Sequence, residues 1–571
     1  MSIELKINTQ RGKRYLVITE RYWDKEAKKA RTKTYQNLGS LEKLQEQYLD
    51  PIAHFKEEAK RLNEEFKEKK KLVELKLDMS LTINDNVENT KNIGYVALSK
   101  IYHELFLDRF FSNKQRYSKK NFNISNIMKL LVFQRILYPS SKRSTWENKD
   151  LFFENSSFSL EDVYRCLSEV NTYSHDIVKH LYSHTLKNYS VEKETLYYDV
   201  TNYYFEIDKE DEIRKKGFSK EKRSDPIIQM GLFIDENQIP ISYKLFPGNT
   251  HDTKTLIPIL NEVKNQLGFI KTIVVAGKGL NSNENKINLV KASNGYIFSE
   301  KILGANKDLC TFVLDEKDYQ CYSSTYRFKS RIVKKPVFVT SDKGRIKYVL
   351  EEKQVVVYSE KYANRIKHKR ELTLTKANNL IKNISAYNKA THYGAAKYIA
   401  NLSFDKNTGE ILNDVENQLF IDEERIAKEE VFDGYYVIVT SEINKSDSEI
   451  FTSYHGLYKI EDQFKITKHE FKTRPVYLSR QDRIEAHFLT CYISLVLIRL
   501  LSIKLGNKYS IEQITKSLKN TTVSHIGQNY YVTNYVDEVI LEIQKQLGIV
   551  LTKKYLSEGD IRTLVGSVKK H

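Results

Sequence analysis

Between residues 195 and 300 the chain runs through strand and helix patterns in an order that narrows the fold sharply. L-Y-Y-D-V-T (196–201), I-I-Q-M-G-L-F-I-D (227–235) and I-P-I-S-Y-K-L-F (239–246) are apolar runs of β-branched and aromatic residues. The short turn E-N-Q joins the second to the third. P-G-N-T-H-D-T-K-T-L (247–256) opens a helix running to about Leu267. A fourth strand K-T-I-V-V-A (271–276), a helix N-E-N-K-I-N-L-V-K-A (283–292) and a strand G-Y-I-F-S-E (295–300) complete the set. Three meander strands therefore precede helix, strand, helix and strand.

That is the order of a ribonuclease H-like core, an α/β fold whose first strand lies mid-sheet beside the fourth. The ends of those two strands then meet, which brings Asp199 together with Gly277 in I-V-V-A-G-K-G-L-N (273–281). A further strand, Y-Y-V-I-V-T (435–440), leads into a helix over Y-H-G-L-Y-K-I-E-D-Q-F-K-I-T-K (454–468). The expected organisation is a basic β-module with a helical connector at 1–85 and a helical, DNA-binding region at 86–190. The core follows in two parts, 191–302 and 431–500, split by a β-rich basic insertion at 303–430. A helical region closes the chain at 501–571.

Length agrees with several domains, and the charge reads as a polyanionic partner or as a lysine-rich, soluble surface. The chain has 571 residues, Lys+Arg 92 against Asp+Glu 74, and a formal net charge of +18. Nine basic and three acidic residues lie between Arg11 and Lys33, and fourteen against four between 321 and 370. The first cluster reads equally as a surface for DNA phosphates or as a solvated hairpin. Within the insertion, T-F-V-L, P-V-F-V-T, Y-V-L and Q-V-V-V-Y read as strands. In the helical region Ser159 and Asp162 form a capping-box pattern. The turn P-S-S-K-R-S (139–144) separates two helices, either a helix-turn-helix or ordinary packing. Four cysteines without C-x-x-C spacing and an N-terminus without a signal peptide predict a reducing, cytoplasmic setting. The apolar run 486–501 is short for a membrane span and contains Arg499, so a buried helix is expected and no membrane partner.

The candidate chemistry rests on carboxylates. Three of them converging from separate elements is the minimum pattern for a pair of Mg²⁺ ions about 3.5–4 Å apart. Strand alternation puts Tyr197, Asp199 and Thr201 on one face. Asp199 reads either as a metal ligand or as an Asp that only bonds a strand end. Tyr454, Leu457, Glu461, Phe464 and Lys468 fall at helical spacing on one partly apolar face, where an unpaired Glu461 is costly. An ordinary amphipathic helix with a solvated Glu–Lys face is the alternative. Asp252 and Glu284 are the other acids near the fourth strand in sequence, and each starts a helix, where capping and the helix dipole account for it.

On these residues the chain resembles insertion-sequence transposases of the DDE class. The resemblance is to the cut-and-paste branch with a Y-R-E-K helix motif and a β-rich domain before the catalytic Glu. Tyr454, Leu457, Glu461 and Lys468 keep the motif's spacing, with Leu in place of Arg. The segments 217–226, 246–252, 278–282 and 483–488 are also similar to that branch. The resemblance implies Asp199 and Glu461 as catalytic metal ligands for Mg²⁺, with Mn²⁺ as a substitute. It puts a second Asp at position 277, where this chain has Gly. It implies Tyr454, Lys468, Lys278 and Lys465 as DNA contacts. The expected partner is double-stranded DNA, both terminal inverted repeats and target, held by a homodimer in a synaptic complex associated with the nucleoid. Two functions follow: Mg²⁺-dependent DNA cleavage and strand transfer for a bacterial insertion sequence, or a catalytically impaired relative that occupies element ends or represses transposition.

Overall fold

The computed structural model describes residues 2–10, 12–24, 29–69, 80, 82, 89–118, 120–221, 223–341, 344–387, 389–402 and 419–569. The chain divides into two compact units, Met1–Val87 and Glu88–His571.

In the first unit, strands Ser2–Gln10, Lys13–Asp24 and Lys29–Ser40 form an antiparallel sheet in that order. Helix Pro51–Lys69 covers one face through Phe55 and Ala59. Asn63 on that helix clips the edge strand, accepting from the Ile3 N–H at 2.8 Å and donating to its carbonyl at 2.6 Å. Part of the basic surplus is spent locally, since Lys33 pairs with Glu20 at 3.1 Å and Arg31 with Asp24 at 3.0 Å. The end of the expected module and connector, 70–85 apart from 80 and 82, lies outside the described residues.

The second unit is a mixed α/β structure around a large mixed sheet. Among the described residues its strands run, edge to edge, Gln320–Cys321, Arg327–Ser341, Gly344–Tyr358, Tyr435–Thr440, Gly295–Glu300, Ile273–Ala276, Thr195–Tyr204, Ile227–Asp235 and Pro240–Pro247. Thr195–Tyr204 pairs antiparallel with Ile227–Asp235 and parallel with Ile273–Ala276, which pairs parallel with Gly295–Glu300. The first of the five core strands thus lies between the second and the fourth, as the strand order predicts.

Helices pack around this sheet. Helix Leu160–Asn171 starts on the expected Ser159–Asp162 capping box, with both reciprocal bonds present. Helix Ile124–Leu137, which precedes the P-S-S-K-R-S turn, is buried at every position except Asn126 and so belongs to the core. Helix Gln481–Lys504 is apolar and long enough to cross a membrane, but 94% of its apolar window is buried inside the protein.

Two expectations need correction. The insertion is not simply β-rich. T-F-V-L belongs to helix Lys307–Leu314, which Asn306 caps by accepting from the Leu309 N–H, and a second helix spans Glu360–Lys382. The other three runs merge into the long hairpin of Arg327–Ser341 and Gly344–Tyr358, which joins the main sheet through Tyr435–Thr440. A buried cluster ties it to the core, because Glu352 takes Lys286 at 2.8 Å, Lys335 at 2.6 Å and the Tyr296 hydroxyl at 2.8 Å. The C-terminal region is not purely helical either. Strands Thr522–Gly527, Tyr530–Thr533 and Tyr555–Ser557 form a small antiparallel sheet with Thr90–Asn92. Gly527, Gln528 and Asn529 all take positive φ there, which makes the reversal tight.

Candidate active site

Asp199 lies inside its strand rather than at its end, since the strand continues to Tyr204. The alternation of the strand aims Tyr197, Asp199, Thr201 and Tyr203 to one side, and the two tyrosines fix what faces them. The Tyr197 hydroxyl packs so close to Gly456 that a Cβ there would lie 2.1 Å away. The Lys459 ammonium stands 5.4 Å from the Tyr197 ring centroid. Tyr203 bonds Thr467 Oγ1 at 2.7 Å and lies under Lys468 at 5.7 Å. Asp199, between the two tyrosines, therefore faces the segment between 456 and 467, which carries Glu461.

That segment is not one continuous helix. Helix Asp447–His455 stops at Gly456 and Leu457, a second helix runs Tyr458–Lys465, and a π turn follows over Ile466–Glu470. The wedge of Tyr197 against Gly456 accounts for the break, and the π turn re-aims Thr467 and Lys468 toward the Asp199 strand. Tyr454 consequently belongs to the earlier helix, its ring 6.3 Å from that of Tyr436. The expectation of a partly buried Glu461 is corrected. Ile460, Gln463 and Phe464 form the buried stripe, and Glu461 beside them is exposed.

The parallel ladder ends at the pair Tyr198–Ala276, so the next positions on the two strands are Asp199 and Gly277. An ideal Cβ on Gly277 meets nothing within 4 Å. The position that would bring a second carboxylate to Asp199 has room for one and carries none. Among the described residues no group of three His, Cys, Asp or Glu is placed to hold a metal ion.

The loop that carries Lys220 and Glu221 fills this site with charge. The Lys220 ammonium lies 3.8 Å from Asp199 Oδ2 and donates to the Val200 carbonyl. The next residue, Glu221, accepts from Lys468 at 3.0 Å and pairs with Arg474 through the same oxygen. Asp199 keeps 29% of its side chain exposed, yet its carboxyl is held above the ordinary range. Burial is the largest cause. Lys220 and the Val200 N–H pull the value back, while the charges of Asp252 and Glu461 push it up.

Asp252 is the acid whose position sequence reasoning mistook. It opens the short turn Asp252–Lys254, and helix Leu256–Leu267 follows without a side-chain cap, so Asp252 caps neither. Its Oδ2 would lie 3.3 Å from a Cβ on Gly279, just beyond Gly277, and its charge acts on Asp199. Glu284 is exposed in the first turn of helix Asn283–Lys291. Of the expected DNA contacts, Lys468 belongs to this cluster. Lys278 instead lines a cavity with Ser299, Tyr362 and Tyr436, and Lys465 a separate one with Tyr458, Asp462 and Glu512.

No family model matches this chain, and no curated protein does. Among solved structures, the cryo-EM structure of a piggyBac transposase synaptic complex with hairpin DNA aligns with 84% of this chain and 85% of that one, at 8% sequence identity and a TM-score of 0.33.

Proposed function

We propose that this chain is a DNA-binding protein of the DDE transposase type, with a ribonuclease H-like core, that occupies the ends of a bacterial insertion sequence and is impaired in strand cleavage. The observation that carries the reading is the register of the two central strands, which makes Asp199 and Gly277 neighbours. The net charge of +18 supports a duplex DNA partner. In this class two copies of the chain bring two ends together.

The residues present do not fit a Mg²⁺ pair. Gly277 offers no oxygen ligand from its side chain, and Lys220 already stands beside Asp199. A second reading, an active Mg²⁺-dependent transposase, draws support from Asp252, whose charge reaches Asp199 from the loop beyond Gly277.

One experiment separates the two. Purified protein is mixed with labelled duplex and with supercoiled plasmid, in Mg²⁺ and in Mn²⁺. The impaired reading expects duplex binding without nicking, and nicking restored by Gly277→Asp. Nicking by the unaltered protein that is lost in Asp252→Asn establishes the second reading instead. Absence of duplex binding at low salt removes both.

A further inference from the structure

A cavity of about 390 Å³ lies behind the candidate site, between the P-S-S-K-R-S turn and the segment that follows the π turn. Its basic side chains are Arg135, Lys142, Arg143, Lys472, Arg474 and His487, the last held well below its ordinary range by burial and then by Lys142 and Arg135, and no Asp or Glu lines it. The cavities around Lys278 and Lys465 differ, because Glu300 and Asp433 enter the first, and Asp462 and Glu470 the second. Three of the six side chains, Arg135, Lys142 and His487, are each only 5% exposed.

These buried groups carry donors in excess of acceptors. The Lys142 ammonium has no hydrogen-bond partner among the described residues, and neither has Arg135 Nε or His487 Nδ1. Arg135 uses its other nitrogens on the carbonyls of Phe471 at 3.1 Å and Ser140 at 3.0 Å. His487 Nε2 lies 3.2 Å from the Thr473 carbonyl. Burial, and then the neighbouring Arg135, push Lys142 down to about 7. A buried lysine beside an arginine with no carboxylate is costly to keep. An oxyanion supplies what the cluster lacks: negative charge and several acceptor oxygens in one small group. Arg474 lines this cavity and also meets Glu221, so the cavity adjoins the Lys468 cluster.

We propose that this cavity is a phosphate pocket, and that it takes a backbone phosphodiester of bound duplex DNA. The identity of the phosphate as DNA rests on the function proposed above, whereas the pocket itself does not.

The test uses the full chain and inorganic phosphate, titrated at constant ionic strength against chloride and followed by calorimetry and thermal unfolding. Phosphate is expected to bind and to raise the melting temperature beyond chloride. Lys142→Met is expected to weaken that binding about tenfold or more, while unfolding no earlier than the parent in phosphate-free buffer. If Lys142→Met does not fold, Arg143→Ala, whose side chain is exposed at the cavity, is expected to weaken phosphate several-fold. No phosphate effect beyond chloride, or full binding in the variant, overturns the pocket. In the second arm, phosphate is expected to compete with a fluorescein-labelled duplex, and Lys142→Met to weaken duplex binding. Intact phosphate binding with duplex affinity untouched by Lys142→Met overturns DNA as the source and assigns the pocket to free phosphate. A protein that binds phosphate but no duplex at all contradicts the proposed function and leaves the pocket standing.

Discussion

Lys220 places its ammonium 3.8 Å from the Asp199 carboxylate, while the next residue places a carboxylate on Lys468 and Arg474. Two consecutive side chains of opposite sign thus neutralise the two halves of the candidate site. The lysine stands where a cation would bind Asp199, and the glutamate where a phosphate oxygen would bind the basic pair.

That arrangement makes Lys220 a competitor of any metal. In a Gly277→Asp background, Lys220→Met should raise Mn²⁺ affinity several-fold, since it removes a fixed positive charge from beside a carboxylate. Electron paramagnetic resonance of free Mn²⁺ measures this directly. A lower affinity in the double variant would show instead that Lys220 supports the site.

DNA binding should depend on pH through Lys468. Burial, and then Lys220, hold its ammonium down at about 8, even though it lies beside Glu221. It is charged below that value and loses its proton above it. Duplex affinity should therefore fall as pH rises through about 8, and Lys468→Arg should flatten the profile. Lys468→Ala should weaken binding uniformly across sequences and reduce the slope of log affinity against log salt by about 0.9. The stability effect has the opposite direction. A lysine held below its ordinary value binds its proton less tightly in the folded chain, so it costs stability below about 8, and that cost fades toward about 10.4.

Gly456→Ala should destabilise the fold by roughly 1–3 kcal/mol, because its Cβ meets the Tyr197 hydroxyl at 2.1 Å. Tyr197→Phe removes that oxygen but leaves Cζ at 2.5 Å from the same Cβ, so the double variant should recover only part of the loss. Urea unfolding of the four proteins in the cycle gives the coupling. A neutral Gly456→Ala would mean that the helix break has another cause.

Glu352→Gln should be the most damaging of these changes, at about 3–5 kcal/mol. It takes from Lys286, with 1% of its side chain exposed, the nearer of its two carboxylates and leaves only Glu300 at 3.3 Å. Burial alone would raise the Glu352 carboxyl, but Lys286 and Lys335 outweigh it and hold the group below its ordinary range. Its contribution is therefore present above the unfolded glutamate value near 4.3 and is lost as pH falls through the lower folded value. Thermal unfolding of both proteins between neutral and acidic pH should converge at the acidic end.

How legible all this was in the sequence varied with the kind of signal. The strands at 227–235, 295–300 and 435–440 were readable to the residue, because apolar β-branched runs are bounded there by turns and polar residues. T-F-V-L was not, since a four-residue apolar run has no period of its own and Asn306, an N-cap, decides for helix. The meeting of Asp199 and Gly277 follows from strand order. The roles of Lys220 and Glu221 do not, because a loop between strands carries no periodicity that aims its side chains. Arg474 lies beyond the segment that helix spacing could reach. The capping role read for Asp252 does not hold, because an acid near a helix start satisfies that rule on paper, whereas Asp252 opens a separate short turn and its carboxylate lies against Gly279. Gly456 was the one visible sign that a single helical face from 454 to 468 would not hold.

The hairpin that splits the core has a consequence for how this protein can be altered. Strand Tyr435–Thr440 is bonded on one side to Gly295–Glu300 and on the other to Gly344–Tyr358. Excising 303–430 would not trim an appendage. It would strip one flank of Tyr435–Thr440, leaving its N–H and C=O groups open to pair with another molecule. The expected product is aggregation rather than a minimal folded core. The interruption and the core must be inherited, shortened or transplanted together.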